Sequence, residues 1–319
     1  MSGLIALSLS LTTCDTFSNE HPIVKVALST KGLKPAPNGF TYEAWISLHV
    51  QPVSLGRFSV DESGAMSENT FEEVDGADLD AATRVFITLE PTGDDLPGPA
   101  SHVVIAGEFV DDIAHLSVDD ALAFKTDFSK GKAGFVMQTP TDVASETGTS
   151  GIWFYNGSKS DPQPTLTLPE LPEVWTYEAI FESENGKSLS LGTFPVPPGK
   201  SEAKDQSESQ SESETQSQPK TRVAVGEYVP ITGADSGNPY SSNDKPAPSF
   251  PGEDFFTSPP LDVRGGKLSI TVRAKDEEII LFKVYAATLD ENAKANIVYP
   301  MTLTASAFPT GTLDRATNP

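Results

Sequence analysis

The chain has 319 residues, 37% of them hydrophobic, with Lys+Arg 22 against Asp+Glu 45 and a formal net charge of −23. That length predicts about two domains with real cores, and so acidic a surface excludes nucleic acid as a partner and docking on anionic lipid through a basic patch. A single cysteine excludes an intrachain disulfide and a zinc site built from several thiolates.

Leu4, Ile5, Ala6, Leu7, Leu9 and Leu11 form a short apolar run. It is far below the ~20 residues of a spanning helix and matches the size of a signal-peptide core, although Met1-Ser2-Gly3 lacks the usual basic residue. The run ends at Leu11-Thr12-Thr13-Cys14 and is followed by polar Asp15–Glu20. This tetrad resembles the lipobox of bacterial lipoproteins, in which the cysteine is lipidated and becomes the new N-terminus. The resemblance implies a signal peptide over residues 1–13, lipidation at Cys14, a tether over 14–21 and a lipid anchor in a bacterial membrane. Thiol catalysis would need a partner that lowers the cysteine pKa, and the nearest histidine, His21, lies in the same tether.

The following sequence reads as β. Phe40, Tyr42, Ala44, Ile46 and Leu48 alternate with Thr41, Glu43, Trp45 and Ser47, which predicts a strand with one apolar face. Similar runs are Ile23–Leu28, Leu55–Val60, Arg84–Leu89, Val103–Phe109, Gly134–Gln138 and Ile152–Tyr155. Further on come Trp175–Phe181, Ser190–Val196, Lys267–Val272, Ile279–Leu289 and Met301–Thr304. Turn-forming residues separate most of them. One short helix is predicted over Asp120–Phe124, capped by Ser117 or Asp119.

An internal repeat organises these runs. Phe40-Thr41-Tyr42-Glu43-Ala44 recurs as Trp175-Thr176-Tyr177-Glu178-Ala179, Leu55-Gly56-Arg57-Phe58 as Leu191-Gly192-Thr193-Phe194, and Ile87-Thr88-Leu89 as Ile270-Thr271-Val272. The phase is kept as well, and a one-residue slip would turn the apolar face outward. The prediction is an all-β chain of two related β-sandwich-like domains, 22–145 and 164–310, joined by a connector over 146–163 and followed by a tail over 311–319. The second copy carries about 47 extra residues between Phe194 and Lys267, at a closure cost of only ~1 kcal/mol beyond a short loop. Its Ser/Glu/Gln-rich part, within an insertion over about 199–245, has the composition of disorder.

Tyr42-Glu43-Ala44-Trp45, Leu55-Gly56-Arg57-Phe58 with Asp61-Glu62-Ser63-Gly64, Thr88-Leu89-Glu90-Pro91 and Pro97-Gly98-Pro99 follow one another in order. Over about residues 40–107 this sequence resembles the extracytoplasmic C-terminal domain of anti-sigma-K-type anti-sigma factors. The likeness is partial over 175–289, where Ile180 replaces Trp45 and Arg273-Ala274 replaces Glu90-Pro91. Ser150-Gly151-Ile152-Trp153-Phe154 resembles the connector of two-copy envelope lipoproteins with this domain. The resemblance implies an extracytoplasmic sensing or interaction module. The cytoplasmic sigma-binding domain and membrane-spanning helix of complete anti-sigma factors are not expected in this sequence.

No catalytic constellation emerges. The histidines are His21, His49, His102 and His115, with no His-Glu-x-x-His pattern, and Gly148-Thr149-Ser150-Gly151 falls one residue short of a Gly-x-Ser-x-Gly elbow. His102 and His115 flank a predicted hairpin and are read as edge or surface residues. Asp75–Asp80, Asp111-Asp112 and Asp119-Asp120 lack the order of a calcium loop. Glu43 and Glu178 are expected to point outward into cross-strand pairs, and Trp175 into the core. The expectation is therefore a non-enzymatic protein of the bacterial cell envelope without cofactor or metal, with a protein or glycan partner. The alternative from another class is a carbohydrate-binding or hydrolytic surface protein that uses an acidic cleft between the repeats, with Trp45, Trp153 and Trp175 as a sugar platform.

Overall fold

The structure is a computed structural model. It describes residues 23–48, 51–75, 79–93, 98–141, 148–194, 250–256, 259–275, 277 and 279–315. The expected signal peptide, tether and Cys14, His21 and His49, and the low-complexity insertion lie outside these residues.

In chain order the strands are β1 (Ile23–Lys31), β2 (Phe40–Leu48), β3 (Gln51–Phe58), β4 (Thr70–Asp75), β5 (Ala82–Pro91), β6 (Val103–Val110) and β7 (Ile113–Ser117). A 3-10 turn at Phe128–Lys130 leads into β8 (Lys132–Met137). Then follow β9 (Gly151–Trp153), β10 (Leu166–Thr167), β11 (Trp175–Glu182), β12 (Ser188–Phe194), β13 (Gly252–Asp254), β14 (Lys267–Ala274), β15 (Ile280–Thr288), β16 (Val298–Pro300) and β17 (Thr302–Leu303). A second 3-10 turn, Ala305–Ala307, precedes β18 (Thr310–Asp314). Among the described residues no helix is long and apolar enough to cross a membrane.

The first lobe is one eight-stranded antiparallel sheet in the order β3-β2-β5-β6-β7-β18-β1-β4. Its ends roll toward one another. Phe58 of β3 meets Phe71 of β4 edge to face at 6.3 Å, and a Cβ on Gly56 would sit 3.1 Å from the Phe71 ring. The second lobe is built from β12-β11-β14-β15-β17 and β10-β8-β9-β13, with β16 also paired to β8. One apolar core runs through both lobes. Where they meet, Phe128 packs against Phe282 at 5.8 Å and Phe308 at 5.3 Å, and Trp175 lies 5.3 Å from Phe124.

The duplication holds at the level of register. Tyr42 stands opposite Phe58 and Leu89, and Tyr177 opposite Phe194 and Val272. Ala44 faces Gly56 and Ile87, as Ala179 faces Gly192 and Ile270. Each copy has a β-bulge directly after that alanine. Gly56 and Gly192 take φ of +144° and +100° there, a region that L side chains avoid. The polar contacts recur as well. Thr41 and Thr176 donate to the carbonyls of Phe58 and Phe194 at 3.0 and 3.2 Å. Tyr42 and Tyr177 donate their hydroxyls to the carbonyls of Lys34 and Pro169, both at 2.9 Å.

Three local expectations change. Asp120–Phe124 is a turn, not a helix: Lys125 has φ of +50°, and so few residues cannot repay helix nucleation. β2 is buried on both faces from Tyr42 to Ile46, because Trp45 stacks on Phe86 at 6.3 Å and the segment before β6 folds over that side. The stretch read as a tail from 311 contains β18, held on one side by β7 and on the other by β1.

Replacing Tyr42 or Tyr177 by Phe removes one hydrogen bond to a backbone carbonyl in each lobe. Each change is expected to cost about 1 kcal/mol, by similar amounts in the two copies, in chemical denaturation. Burial pushes the Tyr42 hydroxyl up to about 12 and that of Tyr177 well above the usual 10.0. Because the folded pKa exceeds the unfolded one, this stability is complete below pH 10 and is lost as pH rises through the folded pKa. Tyrosinate absorbance in an alkaline titration is expected to show these groups ionising only with unfolding.

Candidate functional site

Glu43 lies in the middle of β2, next to the bulge. The bulge places Ser54 and Arg57 of β3 on the same side of the sheet, although their spacing in a regular strand would put them on opposite faces. Both reach the carboxylate: Ser54 Oγ donates to Oε1 at 2.5 Å and Arg57 Nε to Oε2 at 2.8 Å. Glu178 repeats the arrangement on β11, with Ser190 Oγ at 2.6 Å from Oε1. Its guanidinium comes from the other neighbour. Arg273 of β14 sits 3.3 Å from Oε2, while Thr193 holds the place of Arg57. Both glutamates are buried, Glu43 to 6% and Glu178 to 7% exposure, contrary to the outward orientation expected. The cause is the covered second face of β2 and β11. A carboxylate buried there is tolerated only when hydrogen-bonded and paired.

The first copy adds a second polar chain. Trp45 Nε1 donates to the Thr88 hydroxyl at 2.9 Å, and that hydroxyl donates to Glu90. Glu90 also accepts the Ala100 amide at 2.8 Å, which draws the following loop onto the sheet. In the second copy Ile180 has no donor, and Thr271 instead donates to the Glu178 carbonyl at 3.1 Å. The turn Asp61–Gly64 closes on Asp61, whose carboxylate accepts from the Ser63 and Ala65 amides at 2.8 and 2.9 Å. The Ser63 hydroxyl and these amides hold the Asp61 carboxyl below its usual 3.8. Gly64 takes φ of +86° at the corner.

The connector is fixed by an aspartate that the sequence reading did not single out. Asp254 of β13 is fully buried. Its Oδ1 accepts from Trp153 Nε1 at 2.7 Å, and its Oδ2 from the Thr141 amide at 3.0 Å and the Thr141 hydroxyl. One side chain thus ties together the end of the first repeat, the connector and the chain that follows the insertion. Burial, and then the Asp254 charge, push the nearby Tyr155 hydroxyl up to about 12.

The other candidates separate. Trp45, Trp153 and Trp175 are all buried, so none offers a solvent-facing platform for a sugar ring. His102 stacks edge-on against Trp175 at 5.1 Å, while His115 stands opposite Thr312 on β7. Asp120 pairs with Arg84 at 2.5 Å, and Asp112 with Arg315 at 3.2 Å. Among the described residues no group of three His, Cys, Asp or Glu side chains could hold a metal ion. A cleft lined by Asp119, Asp127, Phe128, Phe308 and Pro309 opens beside the two 3-10 turns. Burial and the Asp127 charge raise the Asp119 carboxyl above its usual 3.8, and Ser129 lowers that of Asp127.

A family model for the C-terminal domain of the anti-sigma-K factor rskA matches residues 21–103. The match covers β1 to β5 and ends at the start of β6, so it includes the Glu43 site, the Trp45–Thr88–Glu90 chain and the Asp61 turn. No curated protein matches the chain, and no solved structure does. The segment is thus similar to a regulatory module, and its motif residues build the sheet's internal polar framework.

If one buried carboxylate can be served from either neighbouring strand, the two arginines are interchangeable in place. Arg273→Thr is expected to destabilise the chain by about 1–3 kcal/mol, and adding Thr193→Arg to recover a good part of it. Chemical denaturation of the single and double variants measures both effects. A double variant no more stable than Arg273→Thr would rule the exchange out.

Proposed function

We propose that the chain is a membrane-anchored lipoprotein of the bacterial cell envelope, whose extracytoplasmic β-lobes act as an anti-sigma-factor-like sensing or interaction module. It works by binding a protein or glycan partner, not by catalysis. The observation that carries the reading is the family match over residues 21–103, on the residues that lock β2, β3 and β5 together. The engaged state of Glu43, Glu90, Glu178 and Asp254 supports a scaffold role for the buried carboxylates.

The anchoring part rests on Leu4–Leu11 and the tetrad Leu11-Thr12-Thr13-Cys14. A charge of −23 is repelled by anionic headgroups, so the lobes gain no hold on such a membrane through their surface. Attachment then depends on acyl chains at Cys14. Each buried CH₂ contributes ~0.8 kcal/mol, and a single chain binds only reversibly, so more than one chain is required.

Cys14→Ser removes the thiol that accepts lipid. The variant is expected to fold with an unchanged melting temperature and to leave the membrane fraction, or to accumulate with its signal uncleaved. Fractionation with mass spectrometry of the N-terminus reads both outcomes. Wild-type protein recovered soluble in the cytoplasm with Met1 intact would overturn the lipoprotein reading and the envelope role with it.

A further inference from the structure

The closing strands of the two lobes are equivalent in a way that sequence identity does not display. β18 lies between β1 and β7, with Thr310 opposite Lys31 and Gly311 opposite Thr30 and Leu116. β8 lies between β10 and β16, with Ala133 opposite Leu166 and Gly134 opposite Pro300. Counting back from the matched Tyr42 and Tyr177, Lys31 corresponds to Leu166 and Thr30 to Thr165. Thr310 therefore corresponds to Ala133 and Gly311 to Gly134. The Gly134 amide donates to the Thr165 carbonyl at 2.9 Å, just as Gly311 pairs with Thr30.

Both glycines sit in tight surroundings, against different neighbouring strands. A Cβ on Gly311 would stand 3.2 Å from the Ser29 carbonyl oxygen and 3.3 Å from Ile105 Cδ1; one on Gly134 would stand 3.2 Å from the Tyr299 carbonyl oxygen. Two positions on, Leu313 and Val136 are both fully buried. The same distance back from each glycine reaches a 3-10 turn, Phe128–Lys130 before β8 and Ala305–Ala307 before β18. The two approaches pass each other where Phe128 meets Phe308. Yet β8 follows β7 of the first repeat and completes the second lobe, whereas β18 follows β17 of the second repeat and completes the first.

We propose that the two repeats have reciprocally exchanged their closing strands, and that the slot between β7 and β1 is a strand-acceptor site. It takes an extended segment with glycine followed two positions on by an aliphatic residue, and its resident occupant is segment 305–315. Recognition there is mainly backbone pairing, as in β-strand addition. Of the five residues of β18 only Leu313 is buried, whereas β8 buries Gly134 to Met137 in one run. The Thr165 hydroxyl donates to the Gly134 carbonyl at 2.6 Å, while the corresponding Thr30 hydroxyl has no partner among the described residues. The first slot therefore holds its strand by backbone pairing over all five residues on both sides but with less side-chain burial than the second, and its occupant is the one expected to exchange. Arg315 adds a clasp beyond the strand, donating to the carbonyls of Asp111 at 2.7 Å and Leu79 at 3.0 Å. This proposal depends on the duplicated fold and not on the anchor or the sensing role.

The test uses the full chain with a protease site inserted between Thr304 and Ala305, where Ala305–Ala307 are exposed. After cleavage of the folded protein, the freed segment is expected to remain bound through gel filtration. A labelled peptide of residues 305–315 is then expected to replace it one for one. Peptides carrying Gly311→Val or Leu313→Asp are expected to compete more than about tenfold less well. A peptide of residues 128–137 is expected to compete for the slot, since the closing strands are equivalent. If the inserted site resists cleavage, co-expression of the chain ending at Thr304 with segment 305–315 on a soluble carrier is expected to yield a soluble complex. Three results would overturn the proposal: a cleaved segment that dissociates with no change in melting temperature, a Gly311→Val peptide that binds as well as the unchanged one, or a 128–137 peptide that does not compete.

Discussion

Ala27–Lys31 of β1 pair with Asp314–Thr310 of β18, so the ladder that closes the first sheet joins segments separated by most of the sequence. Backbone amides and carbonyls left without a partner inside a sheet are costly, and β18 supplies partners to β1 and β7 at once. The arrangement of the second lobe follows from the same requirement. With β18 in the first sheet, the position beside β10 and β16 is filled by β8. The two lobes are therefore not beads on a string. Each contributes a strand to the other, and the core between them is continuous through Phe124, Phe128, Trp175 and Phe282.

A second constraint acts within each lobe. The bulge after Ala44 and after Ala179 tightens the hairpin twist and turns a serine toward the buried glutamate. The two copies then diverge around a fixed centre. The carboxylate, the serine and the glycine are kept, and the arginine moves from β3 in one copy to β14 in the other. Charge neutralisation at a buried carboxylate is thus preserved while its source changes. This pattern fits a physical requirement on the site better than a requirement on any one arginine.

The sequence carried the duplicated centre clearly and the closure of the lobes hardly at all. Thr41-Tyr42-Glu43-Ala44 and its copy were legible because identity, order and alternation phase agree, and the register between Tyr42, Phe58 and Leu89 follows from them. The burial of Glu43 was not legible, because alternation places a residue on a face without saying what covers that face. Here the covering is long-range: Phe86 stacks on Trp45, and Ala100 reaches Glu90. β18 was missed because Thr-Gly-Thr-Leu-Asp shows no alternation, its side chains contributing little beyond Leu313. The shared glycine of β8 and β18 was the available signal, but a single small residue in each strand gives no contrast until the pairing partners are known. Asp254 stood beyond a long insertion, and nothing local marks a carboxylate that will meet Thr141 and Trp153.

The position of β18 also sets an order of events. As the chain emerges from the ribosome, β1 to β7 can form hairpins, but the gap between β7 and β1 cannot take its final strand until residues 310–314 exist. Contacts of such sequence separation are slow to form, because loop closure must precede any gain from them. The nascent first lobe is consequently held short of its final fold throughout synthesis. For a protein exported as proposed above, that delay would favour an unfolded, threadable polypeptide, with the first sheet closing only after its last strand has crossed.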